Sequence, residues 1–124
     1  MARILSISYD EALLVTRELM LRGAGHDVTS ALGLHDSREA CTRGPFDLAI
    51  IGHSIPRNDK LEFISAFRQS NPVALVIALT RAGEERLSVV DAYVYPGDPE
   101  SLIRTINALV DPATERRTEL RRVK

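Results

Sequence analysis

The sequence holds one cysteine, no tryptophan and almost no net charge, and each shortage closes off a class of protein. A lone thiol, Cys41, makes an internal disulfide impossible, so the chain has to fold on its apolar core, and a reducing compartment is its natural setting. A formal charge of −1 at pH 7 and a pI near 6.3 give no bulk electrostatic reason to bind nucleic acid or an anionic membrane, either of which needs a concentrated basic face. The longest wholly apolar run, Val73 to Leu79, is far too short to span a bilayer. The start of the chain, Met1-Ala2-Arg3-Ile4, lacks the apolar stretch and small-residue cleavage site of a signal peptide, so a cytoplasmic protein is expected. No internal repeat or low-complexity tract interrupts the chain.

What is present is core-forming material. With 44% of its 124 residues apolar and 27% charged, the sequence suits one compact domain, and a chain of this length buries roughly two-thirds of its unfolded surface. Five strand-length apolar runs recur: Ile4 to Ile7, Val28 to Leu32, Leu48 to Ile51, Val73 to Leu79 and Ala92 to Val94. Between them apolar residues return at helical spacing, as in Ala12, Val15 and Leu19, then Leu61, Ile64 and Phe67, then Leu102, Ile106, Leu109 and Val110. Alternating strands and helices predict a parallel sheet with helices on both faces. The continuously apolar third and fourth runs belong at its covered centre. Asp10 is placed to cap the first helix, Gly23 and Gly25 to end it, and Asp98-Pro99 to start the last, which Asp111-Pro112 should stop. Residues 1–110 therefore read as the domain. Residues 111–124 read as a polar tail in which Arg116, Arg117, Arg121, Arg122 and Lys124 outnumber the acids. As a helical extension, such a tail could grip an acidic partner surface or nucleic acid, but without interleaved aromatics a solvated segment is the simpler reading.

In an open parallel sheet, ligands bind beyond the carboxyl ends of the strands. Those ends are Ser8-Tyr9-Asp10, Gly52-His53-Ser54, Thr80-Arg81 and Tyr95-Pro96. The first turn has no glycine, which excludes the backbone phosphate cradles of dinucleotide and P-loop sites. His26, His35 and Cys41 lack the spacing of a zinc site, and no Gly-x-Ser-x-Gly elbow surrounds Ser54, so neither metal binding nor hydrolysis is expected. His53 offers an alternative phosphoacceptor or a pH-sensitive group, against the plainer reading of a solvated loop histidine.

The ordered set of Arg3 to Ile7, Phe46 to Ile51, Pro56 four residues after Gly52, Ile77 to Thr80, and Tyr95-Pro96 before Asp98-Pro99-Glu100 resembles the response-regulator receiver domains of bacterial phosphotransfer signalling, over residues 3 to about 110. The resemblance implies a flavodoxin-like five-stranded parallel sheet in the order 2-1-3-4-5. It also implies that the two Mg²⁺-binding acids fall on Ser8 and Tyr9, the phosphoaccepting aspartate on Gly52 and the phosphoryl-pairing lysine on Tyr95. The aromatic switch residue falls on Ala92, and only the sensing hydroxyl is kept, as Thr80. Aspartyl phosphorylation needs a carboxylate nucleophile and a divalent cation on hard oxygen ligands, and Gly52 with a neutral Tyr9 supplies neither. The resemblance further implies a cis bond at Tyr95-Pro96.

Tyr95 is expected to reach towards the emptied pocket, either filling it or offering a platform to a ligand. The short connection from Thr80 to Tyr95, with Gly83 inside it, leaves room for a fourth helix of two turns at best, so a homodimer would have to use a face other than the usual receiver one. The reading that follows is a non-enzymatic, phosphorylation-independent receiver-like module with no cofactor or metal, acting through a protein partner or output module. The rival is a small-molecule sensor with its ligand among Ser8, Tyr9, Gly52, Thr80 and Tyr95.

Overall fold

The computed structural model describes residues 1–81, 83–84 and 86–110. Five strands, β1 (Arg3–Ser8), β2 (Asp27–Leu32), β3 (Leu48–Ile51), β4 (Leu75–Leu79) and β5 (Ala92–Val94), form one all-parallel sheet in the order β2-β1-β3-β4-β5. Among the described residues four helices complete it, α1 (Glu11–Gly23), α2 (Gly33–Ala40), α3 (Arg57–Ser70) and α4 (Pro99–Val110), with a short 3₁₀ turn at Cys41–Arg43. This is the expected flavodoxin-like architecture. None of the described helices is long and apolar enough to cross a membrane.

The local signals act as their chemistry dictates. Asp10 Oδ1 accepts from Leu13 N at 3.1 Å to cap α1, and Asp98 Oδ1 accepts from Ser101 N at 3.0 Å to cap α4, whose first residue is Pro99. Strand pleating then sorts side chains to two cores. Leu5, Ile7, Ala49, Ile51 and Val76 pack under the α2–α3 layer with Phe63 and Phe67, whose rings stack at 5.7 Å. Ile4, Leu48, Ile50, Ile77, Leu79 and Val94 face Leu21 of α1 and Leu102 and Ile106 of α4. Each large apolar side chain so buried stabilises the fold by roughly 1.5–3 kcal/mol.

Three expectations need correction. The helical row Ala12, Val15 and Leu19 lies on the outside of α1, where Val15 and Leu19 are 49% and 68% exposed. The buried row is Leu14, Arg17 and Leu21. The short connection between β4 and β5 does not form the reduced fourth helix allowed for it: its described residues are in turns and bends. Finally, Tyr95-Pro96 is trans, and the cis bond among the described residues is Gly44-Pro45. The chain after β5 instead turns through Pro96 and Gly97, the latter at φ 93°, the residue pattern of a type II turn, so no cis bond is needed there. The arginine-rich tail lies outside the described residues.

Candidate functional site

Because all five strands run the same way, their carboxyl ends share one edge, and the pleat decides what each end presents. Ser6 and Ser8 of β1, and Gly52 directly after β3, fall in the same alternation as Ile4 and Ile50, and so turn towards the α1–α4 face.

The two residues at the end of β1 are occupied internally. Ser8 Oγ accepts from Asp10 N at 2.9 Å and donates to Asp10 O at 3.1 Å, closing the turn into α1. Tyr9 donates its hydroxyl to Asp59 Oδ2 in the first turn of α3 at 2.8 Å. Burial, then the bond to Asp59, pushes the Tyr9 phenol up to about 12, so it is neutral at pH 7.

The neighbour of Gly52 is a residue that the sequence reading missed. Arg17 comes up from the buried row of α1, 7% exposed, and its Nη1 donates to Ser6 Oγ at 3.0 Å and Ile7 O at 3.2 Å. A Cβ placed on Gly52 would stand 3.4 Å from Arg17 Nη2, 3.4 Å from Ser8 Oγ and 3.3 Å from Ile7 O. No acid pairs with Arg17 among the described residues. Desolvation brings its guanidinium down to about 10, so it stays charged at pH 7. The available signal was its spacing of three and four residues from Leu14 and Leu21, which apolar counting passes over because arginine is scored as surface.

Across the edge, Thr80 keeps its place after β4. Its amide donates to Val94 O at 2.9 Å and its hydroxyl to Glu84 Oε1 at 3.1 Å. Glu84 also accepts from Arg81 N at 2.9 Å, and this bond chiefly lowers its carboxyl below the ordinary value. Arg81 Nη2 lies 3.2 Å from Nε2 of the half-buried His53 at the rim.

In the middle of β5, Tyr93 donates to Leu87 O at 2.9 Å and also bonds Leu87 N, with the Arg86 guanidinium 4.8 Å over its ring. Ala92 packs against the α1–α4 core. Tyr95 stays at the rim, 59% exposed, so the charged group beside Gly52 is the Arg17 guanidinium, and the phenol expected to reach in does not. Among the described residues, the three metal-ligating side chains close enough to share an ion are His35, Asp36 and Glu39, all exposed on α2; His35 and Glu39 form an ordinary helical pair at 3.3 Å.

No protein-family model matches the sequence, and no curated protein matches it either. Solved structures do match. The fold is that of response-regulator receiver, or CheY-like, domains. A receiver domain from Methanospirillum hungatei JF-1 is similar with a TM-score of 0.77 and 22% identity, over 94% of this chain and 98% of its own. The response regulator TrrA of Thermotoga maritima, in complex with Mg²⁺–BeF, has a TM-score of 0.75 and 22% identity over 89% and 100% of the two chains. The Vibrio cholerae chemotaxis protein CheY4 has a TM-score of 0.75 and 20% identity over 89% and 99%. At these identities the likeness is one of fold.

Proposed function

We propose that the protein is a receiver-like module of two-component signalling that works without phosphorylation, by contact with a protein partner or output module, and that it carries no catalysis of its own. The observation that supports this reading most directly is the pairing of Gly52 with Arg17 at the strand ends. A receiver site has to gather oxygen ligands around a divalent cation next to a carboxylate nucleophile. Here the corresponding side chains do not fit Mg²⁺. Ser8 is tied to the Asp10 backbone, Tyr9 is a neutral phenol held by Asp59, Gly52 offers no side chain, and the nearest charge is a cation. A protein partner is supported by a neighbour of the same fold. TrrA, 22% identical with a TM-score of 0.74, has been solved in complex with the histidine kinase ThkA.

Incubation with acetyl phosphate and Mg²⁺, followed by intact-mass measurement, tests the reading. The expected mass is unchanged, whereas phosphoryl transfer would add about 80 Da. An acid-labile adduct on His53 or Asp10 would defeat it. A second reading, a small-molecule sensor, is supported by one observation of its own, beside the expected pocket rather than in it: an apolar groove of about 180 Å³ opens between α1 and α4, lined by Tyr95 but not by Ser8, Tyr9, Gly52 or Thr80.

A further inference from the structure

We propose that the groove between α1 and α4 is a binding site for a small apolar carboxylic acid, its carboxylate held by the side-on edge of Arg17. The inference rests on the sensor reading and makes it specific. Three features lead to it. The walls are hydrocarbon: Leu13 and Met20 of α1, Leu102 of α4 and Leu79 of β4, with Tyr95 at the mouth. Arg17 is the one arginine or lysine among the lining residues. It is more than nine-tenths buried and unpaired with any acid among the described residues.

The guanidinium is also half used. Nη1 is committed to Ser6 Oγ and Ile7 O, while Nε and Nη2 have no acceptor among the described residues. Those two nitrogens form the planar fork that a carboxylate meets with both oxygens. The one acid of the lining, Asp98, is turned to the amides that begin α4 and so does not neutralise Arg17. One cation calls for one anionic group, and the mainly hydrocarbon wall calls for an apolar body behind it. About 180 Å³ is below the size of ordinary drug pockets, which limits that body to a single ring or a short branched chain. Burial has already lowered the affinity of Arg17 for its proton, and a bound carboxylate would relieve that penalty.

Benzoate is the probe, with benzamide as its uncharged counterpart and inorganic phosphate as an anion without an apolar body. In a ¹⁵N-labelled full chain, benzoate should move the Arg17 Nε–H resonance and raise Tm by roughly 4 °C at ten times its dissociation constant. Benzamide and phosphate should do neither. Arg17→Met should abolish the response. Because that variant removes a buried bond to Ser6 and could fail to fold, Thr16→Trp serves beside it. Thr16 is exposed on α1 and lines the groove, so a tryptophan there blocks the space with Arg17 intact.

Loss of benzoate binding in Thr16→Trp, with an unchanged circular dichroism spectrum, supports the site. Equal effects of benzamide and benzoate would overturn the role of the charge, and equal effects of phosphate would overturn the apolar groove. Benzoate binding that survives Thr16→Trp would place it elsewhere. A stabilising hit from a wider metabolite screen that leaves the Arg17 resonance unmoved would overturn this site while sparing the sensor reading, whereas an absence of any hit would defeat both.

Discussion

A guanidinium taken out of water without a carboxylate gives up solvation that two neutral acceptors only partly return, and Arg17 carries that cost at the centre of the strand-end site. The lowering of its proton affinity to about 10 expresses the same cost. Gly52 is the position from which it could be repaid. Its backbone is not in the left-handed region, and a Cβ there meets Arg17 Nη2 and Ser8 Oγ at ordinary contact distance, with only Ile7 O slightly close. Gly52→Asp therefore sets a carboxylate against the guanidinium, and a charged hydrogen bond of this kind contributes about 1.5–3 kcal/mol. The expected outcome is a Tm at least about 4 °C above that of Gly52→Ala, which carries the same steric cost without the charge. Equal melting of the two variants would mean that Arg17 is already compensated. This substitution puts an aspartate back at the acceptor position and, by pairing it with arginine, should still leave it a poor nucleophile.

At the scale of elements, the parts that were legible from sequence are those fixed by local chemistry. The caps of α1 and α4, the strand cores and the shortness of the β4–β5 connection follow from aspartate, proline, apolar runs and chain length. The face of α1 was not legible, because its outer row Val15 and Leu19 is as apolar as its inner one, and the inner row hides an arginine between Leu14 and Leu21. Helix α2 was not read either. Its sequence GLHDSREA is mostly polar, and no side chain caps its start. The isomer at Pro96 is decided by the turn it joins rather than by the dipeptide itself.

One junction between elements makes a pH prediction. His26, directly before β2, accepts the Ala2 amide on Nδ1 at 3.0 Å, which assigns the proton to Nε2, and Nε2 is buried without a partner. Burial, then the nearby N-terminal ammonium, lowers the imidazole below its usual 6.5. The unfolded chain therefore takes up the proton first as pH falls. The stability that His26 contributes is present above pH 6.5 and is lost on acidification through its folded value. His26→Asn keeps an acceptor for Ala2 and does not titrate. The melting temperature of the unmodified protein should fall faster than that of His26→Asn between pH 7 and 5. Parallel curves would show that protonation does not break the Ala2 contact.

Taken as a whole, the molecule divides its labour by sheet face. The α2–α3 side holds the core built on Phe46, Phe63 and Phe67, and the α1–α4 side holds the buried cation and the apolar groove beside it. Sheet order was legible because alternating strands and helices admit few topologies, whereas the charge of the site was not, since it is set by one arginine brought up from a helix face. That charge governs the response of the whole fold to Mg²⁺. Clustered carboxylates repel one another, so a protein that has them is stabilised when a divalent cation binds. Here Ser8, Tyr9 and Gly52 contribute no negative charge, and Arg17 adds a positive one. The melting temperature should be the same in millimolar Mg²⁺ as in sodium chloride of equal ionic strength. Ser8→Asp, Tyr9→Asp and Gly52→Asp introduced together should lower stability in the absence of metal, because three like charges then share one edge and the Tyr9 bond to Asp59 is lost. That triple variant should gain Mg²⁺ dependence, more strongly when Arg17→Met removes the competing cation. Stabilisation of the unmodified protein by several degrees in Mg²⁺ would mean that Asp10 or Asp59 leaves its present bond to hold the ion, and the phosphorylation-independent reading would fall with it.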